Sequence, residues 1–519
     1  MFLETVKQAK IGTIVPVYKE IDQEIDALEY FAKLSNYGVK KNSILMQSTE
    51  KSFGSGNPCL AVVGKNNEFE IIALNNLGKK FLNFIKKDFK FCDKAVYKKD
   101  KIVGSLTPER KIVSEDQRLK LKTHMDIIRA IAFKFKPTTK PFMPYCGLFG
   151  MISDDFASQI EDLPDSEDII NDPDYVLYFL DNMFVIDHKT KKTYFVANAL
   201  ITDNGKDKIY QECSKTISAY EKLISQKVPK AKKSKKKELK IENDSSKEEF
   251  NEILKSLKSK ILDRGILYAA PSRLTISSFN SETIDIYSQL NTNNPGNTLC
   301  YFNDGNGISI SSGATSFLSV SGDAAKTIEL SIYTNRMPRG ITTDEIDNDL
   351  DNKFEFMLKV DDTELEYNTM LIDSGRNDVA KISETGTRYV DKLFEVNKLA
   401  KSQYSISRIK GLLNKDLDAL HAYLATMNPV SGIPKVRSMQ LLRKLEKKRS
   451  FTSSSIVYIS PEKDLWSMTI EPIRIKKDKA YFGTSFRVFY DNNDEKELKA
   501  GQLKSEKVLD VLKSAGGLK

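Results

Sequence analysis

The sequence predicts an α+β fold on three observations. Short apolar runs broken by Gly, Pro and Asn fill residues 1 to about 200. Helix-period stripes with cap signals follow residue 245, and strand-like runs return towards residue 490. At 519 residues the chain can bury one large core or two or three smaller ones. Its 40% hydrophobic and 29% charged residues are the balance of an ordinary globular protein.

In chain order, residues 60–63, 70–74, 176–180 and 184–186 read as strands bounded by turn residues. The polar stretch 188–192 ahead of 194–197 predicts a hairpin. Residues 204–244 are a charged, helix-prone connection, dividing an N-terminal region (1–203) from a C-terminal one (245–519). Ser246 with Glu249, followed by Phe250, Ile253, Leu254 and Leu257, marks a capped helix start. Strands are expected at 266–270, 308–311 and 328–333. A helix then carries Leu417, Leu420, His421 and Leu424 on one face, and Pro434 opens another striped by Val436, Met439, Leu442 and Leu445. Strands at 455–459, 466–475 and 480–490 follow, and no internal repeat is present.

Several function classes are disfavoured by composition. No run approaches the ~18 apolar residues of a membrane span. The opening segment has an early acid and no apolar stretch behind a basic one, so no secretory signal is expected. Cys59, Cys92, Cys146, Cys213 and Cys300 are odd in number, scattered and never spaced C-x-x-C, which predicts reduced thiols in a cytoplasmic protein. The net charge of +9 comes from dispersed lysine, not from arginine clustered with aromatics, so a nucleic-acid partner is not expected. The lysine run at 230–240 reads as a solvated linker, with an anionic partner as the competing reading.

The stretch Met370-Leu-Ile-Asp-Ser-Gly-Arg-Asn-Asp378, together with Val430-Ser-Gly-Ile-Pro-Lys-Val-Arg-Ser-Met-Gln440, resembles the large subunit of anthranilate synthase, a chorismate-binding enzyme family. Pro271-Ser-Arg273, Pro338-Arg-Gly340, Gly386-Thr-Arg-Tyr-Val390, Gly147-Leu-Phe-Gly150, Glu161-Asp-Leu-Pro164 and Val185-Ile-Asp-His188 extend the resemblance along nearly the whole chain. It implies large facing β-sheets with helices outside. It also implies Mg²⁺-assisted addition of ammonia to chorismate with loss of pyruvate, and a glutamine amidotransferase subunit or a second copy as partner. No fused glutaminase is evident.

The resemblance also implies that no catalytic position is intact. The carboxylate just before the family's M-L-V-D motif falls on Tyr367, with Asn368 beside it; Glu364 and Glu366 are near but would need a register shift. The C-terminal ligand pair falls on Glu497 and Ala500, leaving Glu497 as the retained metal position. Mg²⁺ wants hard oxygen ligands, which a phenol and a methyl do not supply. The family's histidine falls on Tyr404, a weak base with an unperturbed pKa near ~10. Lys401, one turn away, is a remote substitute.

His421, His188 and the exposed-looking His124 read as structural or surface groups. The substrate-binding arginine falls on Glu471, a charge reversal, and Tyr268 stands where isochorismate- and salicylate-forming relatives use lysine. The expected substrate pocket comprises Asn335, Arg336, Thr452, Thr484, Ser485, Phe486 and Arg487; side chains at 484–487 replace a glycine-rich cradle. Thr452-Ser-Ser454 replaces a tyrosine-glycine-glycine stretch, and Phe317 replaces an acid. A feedback tryptophan site would take Ser48, Asn297, Thr298 and Leu299, though the 294–299 segment lacks the family's aromatic and second proline.

Three functions follow. The first is a catalytically inactive relative acting as a binding or assembly subunit, with no cofactor. The second is an active anthranilate synthase large subunit, or an enzyme of altered chemistry, with Mg²⁺. The third is an anionic-surface binder led by the lysine run.

Overall fold

The computed structural model describes residues 2–229, 238–293, 296, 298–313, 315–342, 345–398, 402–427, 431–447, 453–490 and 492–516. Among them lie two sheets of twelve strands each. Both sheets are hybrids. In the first, Ser43–Ser48 pairs antiparallel with Thr298–Asn303, joining six strands from residues 13–200 to six from 241–485. In the second, Gly147–Ser153 pairs with Ser454–Ile459, joining six strands from 60–180 to six from 315–470.

The sheets pack face to face through interleaved rings. Phe53 and Phe302 of the first sheet meet Phe149 and Tyr178 of the second at centroid distances of 5.2 Å (Phe53–Phe149) and 5.3 Å (Tyr178–Phe302). Edge-to-face and tilted contacts of this kind fit the ring quadrupoles better than a flush sandwich. The first sheet's outer face is covered by helices Ala27–Leu34, Lys206–Ile224, Thr283–Asn293 and Asp494–Ala515, which supply Phe31, Ile209, Ile284 and Leu512 to a second core. The α+β architecture, with facing sheets and helices outside, is therefore as expected.

The predicted hairpin is present, with Asn182–Asp187 antiparallel to Lys192–Leu200. The charged connection begins as a docked helix, Lys206–Ile224, burying Ile209, Cys213, Ile217 and Tyr220. Ser246 caps Lys247–Leu262 in a reciprocal box with Glu249. Two expected strands are each divided. Run 466–475 breaks at Glu471-Pro472, so that Leu465–Ile470 lies in one great sheet and Ile473–Lys476 in the other. Proline supplies no N–H to a ladder and permits the crossing. Run 480–490 breaks at Phe486-Arg487, between Lys479–Ser485 and Val488–Phe489. The helix expected from Leu417 starts at Ala419, because Asp418 turns its side chain onto the N–H groups of Leu420 and His421 as the cap.

All five cysteines are unpaired, four of them buried. His124, exposed-looking in the sequence, is fully buried; its ring nitrogens meet Tyr175 Oη at 3.1 Å and Leu106 O at 3.2 Å. Among the described residues, no helix is long and apolar enough to cross a membrane.

A third, three-stranded sheet positions the site. Tyr268–Ala269 is its middle strand, flanked by Gly432–Ile433 and Val488–Phe489. Helices Lys247–Leu262 and Lys435–Glu446 close around it through Phe250, Leu254, Leu257 and Leu442.

Candidate functional site

Helix Asp362–Ala380 carries the motif Asp373-Ser-Gly-Arg-Asn-Asp378 and turns one stripe inward: Glu364, Tyr367, Asn368, Leu371, Gly375 and Asp378. Gly375 allows close approach, since a Cβ there would sit 2.9 Å from Ile332 Cδ1 and 3.0 Å from Ile409 Cδ1. Asp378 is buried and accepts from Lys435 at 2.5 Å, tying this helix to Lys435–Glu446. Arg376 is half exposed and pairs one turn back, with Asp373 at 3.1 Å.

The N-terminal end of the stripe meets the break in the 480–490 run. Arg487 donates two parallel bonds to Glu364, Nη1 to Oε2 at 2.8 Å and Nη2 to Oε1 at 2.9 Å. The same guanidinium donates to Glu497 through Nη2 at 2.6 Å and Nε at 3.3 Å. It lies over the Tyr367 ring, 5.0 Å from the centroid. Burial alone would lower the Arg487 pKa, but the two carboxylates reverse this and hold it above its ordinary value.

The local backbone is fixed by Asn492, whose Nδ2 donates to Arg487 O at 2.7 Å while Oδ1 accepts from Phe489 N–H at 2.9 Å. Asn493 then caps the helix Asp494–Ala515, placing Glu497 in its first turn, where the helix dipole favours an acid.

Beside this ion cluster two phenols meet. Tyr367 Oη donates to Tyr268 Oη at 3.3 Å, and the rings stand edge to face at 5.2 Å. Tyr367 also stacks on Phe489 at 5.6 Å. Burial pushes both phenol pKa values up, so both stay protonated at neutral pH. Neither is a metal ligand or a ready base in that state. Next to Tyr367, the Asn368 amide is 2% exposed with neither polar atom bonded among the described residues.

These residues do not fit a divalent ion. Glu364 and Glu497 are both engaged by a guanidinium, Tyr367 holds its proton, and Ala500 offers no oxygen. Among the described residues, no three His, Cys, Asp or Glu groups converge as ligands. Glu364 reaches the cluster without the register shift the sequence suggested, because it lies one turn before Tyr367 on the same helical face.

The other expected site residues scatter. Tyr404 lies in Ser402–Leu412, where its hydroxyl accepts from Asn397 at 3.2 Å and its strand partner is the exposed Arg336. Glu471 is half exposed and pairs with Lys504 at 3.0 Å. Thr484 is buried, sharing a hydrogen bond with Ser505 at 2.9 Å, and Ser485 stands opposite Ser272. Phe486 packs against Phe250 at 4.8 Å, on the side of helix Lys247–Leu262. Phe317 is buried in the main core. Ser453 donates to the partly buried Asp154 carboxylate.

Lys401, Thr452, Asn297, most of the lysine run and the side chain of Asn335 lie outside the described residues. Ser48 and Thr298 are direct strand partners and Leu299 faces Gln47, but the Ser48 hydroxyl is used by its own turn, donating to Lys51 O at 2.7 Å. A groove of about 610 Å³ opens elsewhere, lined by Glu249, Glu252, Arg273 and Glu446, and none of the sequence-expected site residues borders it.

Comparison with known proteins places the fold. The chain is 27% identical to anthranilate synthase component 1 of Buchnera aphidicola subsp. Schizaphis graminum (strain Sg), over 88% of each chain. It is 26% identical to the Vibrio cholerae protein of the same name, over 91% of this chain and 92% of that one. Its fold is similar to anthranilate synthase component I from Streptococcus pneumoniae TIGR4, with a TM-score of 0.69 at 20% identity, covering 89% of this chain and 92% of that one. It is also similar to the Escherichia coli menaquinone-specific isochorismate synthase MenF, with a TM-score of 0.61 at 13% identity, covering 98% and 99%. The description "chorismate binding enzyme" matches residues 90–510, and the chain accordingly belongs to the chorismate binding enzyme family.

Proposed function

We propose that this protein is an anthranilate synthase component I-like member of its family that has lost the lyase reaction and serves as a binding or assembly subunit. One observation supports the reading: Arg487 is bonded to both Glu364 and Glu497 and lies over the protonated Tyr367, and Tyr367 and Glu497 are the positions to which the family resemblance assigns metal-binding carboxylates. An acidic ring entering there would have to part a bidentate ion pair and desolvate against buried tyrosines. Removing a single oxyanion donor or base costs a rate ~10²-fold or more, and here the groups change together.

The partner is a glutamine amidotransferase subunit or a second copy of this chain, in the cytoplasm, because relatives named component 1 imply a second component. The competing reading is an active large subunit making anthranilate and pyruvate from chorismate and ammonia. It is favoured by the two carboxylates, Glu364 and Glu497, gathered on the same guanidinium.

The deciding experiment is an anthranilate fluorescence assay with chorismate, ammonium and Mg²⁺ on the purified chain. No signal above background is expected; Mg²⁺-dependent turnover would overturn the proposal. Co-purification followed by light scattering then tests the assembly role. A chain that stays monomeric, with or without an amidotransferase subunit, argues against it.

A further inference from the structure

Two acidic side chains far apart in sequence, Glu364 of helix Asp362–Ala380 and Glu497 of helix Asp494–Ala515, are bonded to one guanidinium. Glu364 has a side chain only 5% exposed and Glu497 one 14% exposed. Two ionised carboxylates gathered on one point of a partly buried site repel each other unless a positive charge offsets them. The charge that offsets this repulsion is Arg487, which bonds to both glutamates.

In this chain the cation is covalent. Arg487 is always charged, its planar fork matches Glu364 bidentately, and its carbonyl is pinned by Asn492. Lys258 fixes the same loop from the next helix, donating to Phe489 O at 2.9 Å and to Asn492 Oδ1 at 3.0 Å. Such an ion cannot diffuse away and pays no association entropy.

We propose that Arg487 is a built-in substitute for a divalent cation, so that docking of the C-terminal helix is independent of metal, and that removing the guanidinium exposes a latent divalent-cation site formed by Glu364 and Glu497. The inference rests on the preceding reading only for the idea that the ancestral ion has been displaced. The Tyr367 ring, 5.0 Å from the guanidinium carbon, would roof the emptied space and leave room for water as the remaining ligands.

The test uses Mn²⁺ as probe, followed by its electron paramagnetic resonance signal, alongside thermal melts in EDTA and in millimolar Mg²⁺. The wild-type chain is expected to leave the Mn²⁺ signal unchanged and to melt at the same temperature in EDTA and Mg²⁺. Arg487→Ala should melt lower by on the order of 5 °C in EDTA, recover part of that in Mg²⁺, and bind Mn²⁺ at least roughly tenfold more tightly than wild type. Adding Glu497→Gln should abolish both gains. Arg487→Met, which keeps bulk without charge, serves if the alanine variant does not fold.

Saturable Mn²⁺ binding by the wild type that Glu497→Gln removes would overturn the proposal. So would an uncharged variant at 487 that neither loses stability nor binds Mn²⁺. Metal bound by a wild type that still makes no anthranilate would retire the arginine's role and leave catalytic loss standing. Turnover with the guanidinium in place would do the reverse.

Discussion

Tyr367 donates a hydrogen bond to Tyr268 across 3.3 Å, linking a long helix to the middle strand of the three-stranded sheet through two buried phenols. Tyr367→Phe should cost about 1 kcal/mol at neutral pH, the net worth of one such bond, whereas Tyr367→Ala should cost about 3–5 kcal/mol through the cavity it leaves. Both phenols have folded pKa values raised by burial. The stability they confer is therefore complete below the unfolded value of ~10 and is lost as pH rises through the folded values. Denaturant melts from pH 7 to 11 should show that alkaline loss, and the double Phe variant should show less of it.

Asp154 is partly buried and its pKa is pushed up to about 7, desolvation being the main cause, with Ser453 donating to the carboxylate in opposition. A raised carboxyl pKa means the folded protein binds a proton that the unfolded chain releases above ~4, so stability falls as pH climbs from ~4 to about 7. Asp154→Asn should stabilise by on the order of 2 kcal/mol at pH 8 and bring little near pH 4. Equal effects at both pH values would show that the carboxyl does not titrate in this range.

The glycine and the acid of the Ser-Gly-Arg-Asn-Asp segment hold the fold, while its arginine sits on the surface. Gly375→Ala pushes a methyl to 2.9 Å from Ile332 Cδ1 and should cost about 1–3 kcal/mol. Asp378→Ala removes the carboxylate from Lys435, whose side chain is 18% exposed and keeps only the Met427 carbonyl at 3.2 Å among the described residues, and should cost a similar amount. Arg376→Ala, whose side chain is 46% exposed, should change stability by less than about 0.5 kcal/mol. Chemical denaturation of the three variants separates these roles.

Asn368 buries an amide whose oxygen and nitrogen both lack a hydrogen-bond partner among the described residues. Asn368→Leu, of similar size, should stabilise by about 1 kcal/mol in the same assay. A loss of stability would mean that the amide is satisfied in solution by a group it meets there.

Much of the scaffold was legible because its signals are local. The 188–192 turn between apolar runs and the Ser246/Glu249 box each specify geometry within a few residues. The divided strands were legible in principle, since Pro472 interrupts the 466–475 run. The site was not legible in the same way. Arg487 meets Glu364 across 123 positions, and no periodicity relates them. The helical spacing 364, 367, 371 would have put Glu364 beside Tyr367, but counting back linearly from the motif hid that shared face. His124 is structural, as one of its two readings had it, and its polar neighbours hid only its burial: Thr123 and Asp126 form a capping box that fixes it in the first turn of a buried helix.

The seams at 43–48 with 298–303 and at 147–153 with 454–459 govern how the nascent chain matures. While the ribosome is still reading the later codons, half-built platforms would hang at the exit tunnel with raw edges, inviting pairing with neighbouring polypeptides. Truncating the gene at the 204–244 connection would thus yield a sticky fragment in place of a miniature, and only co-produced halves could zip together.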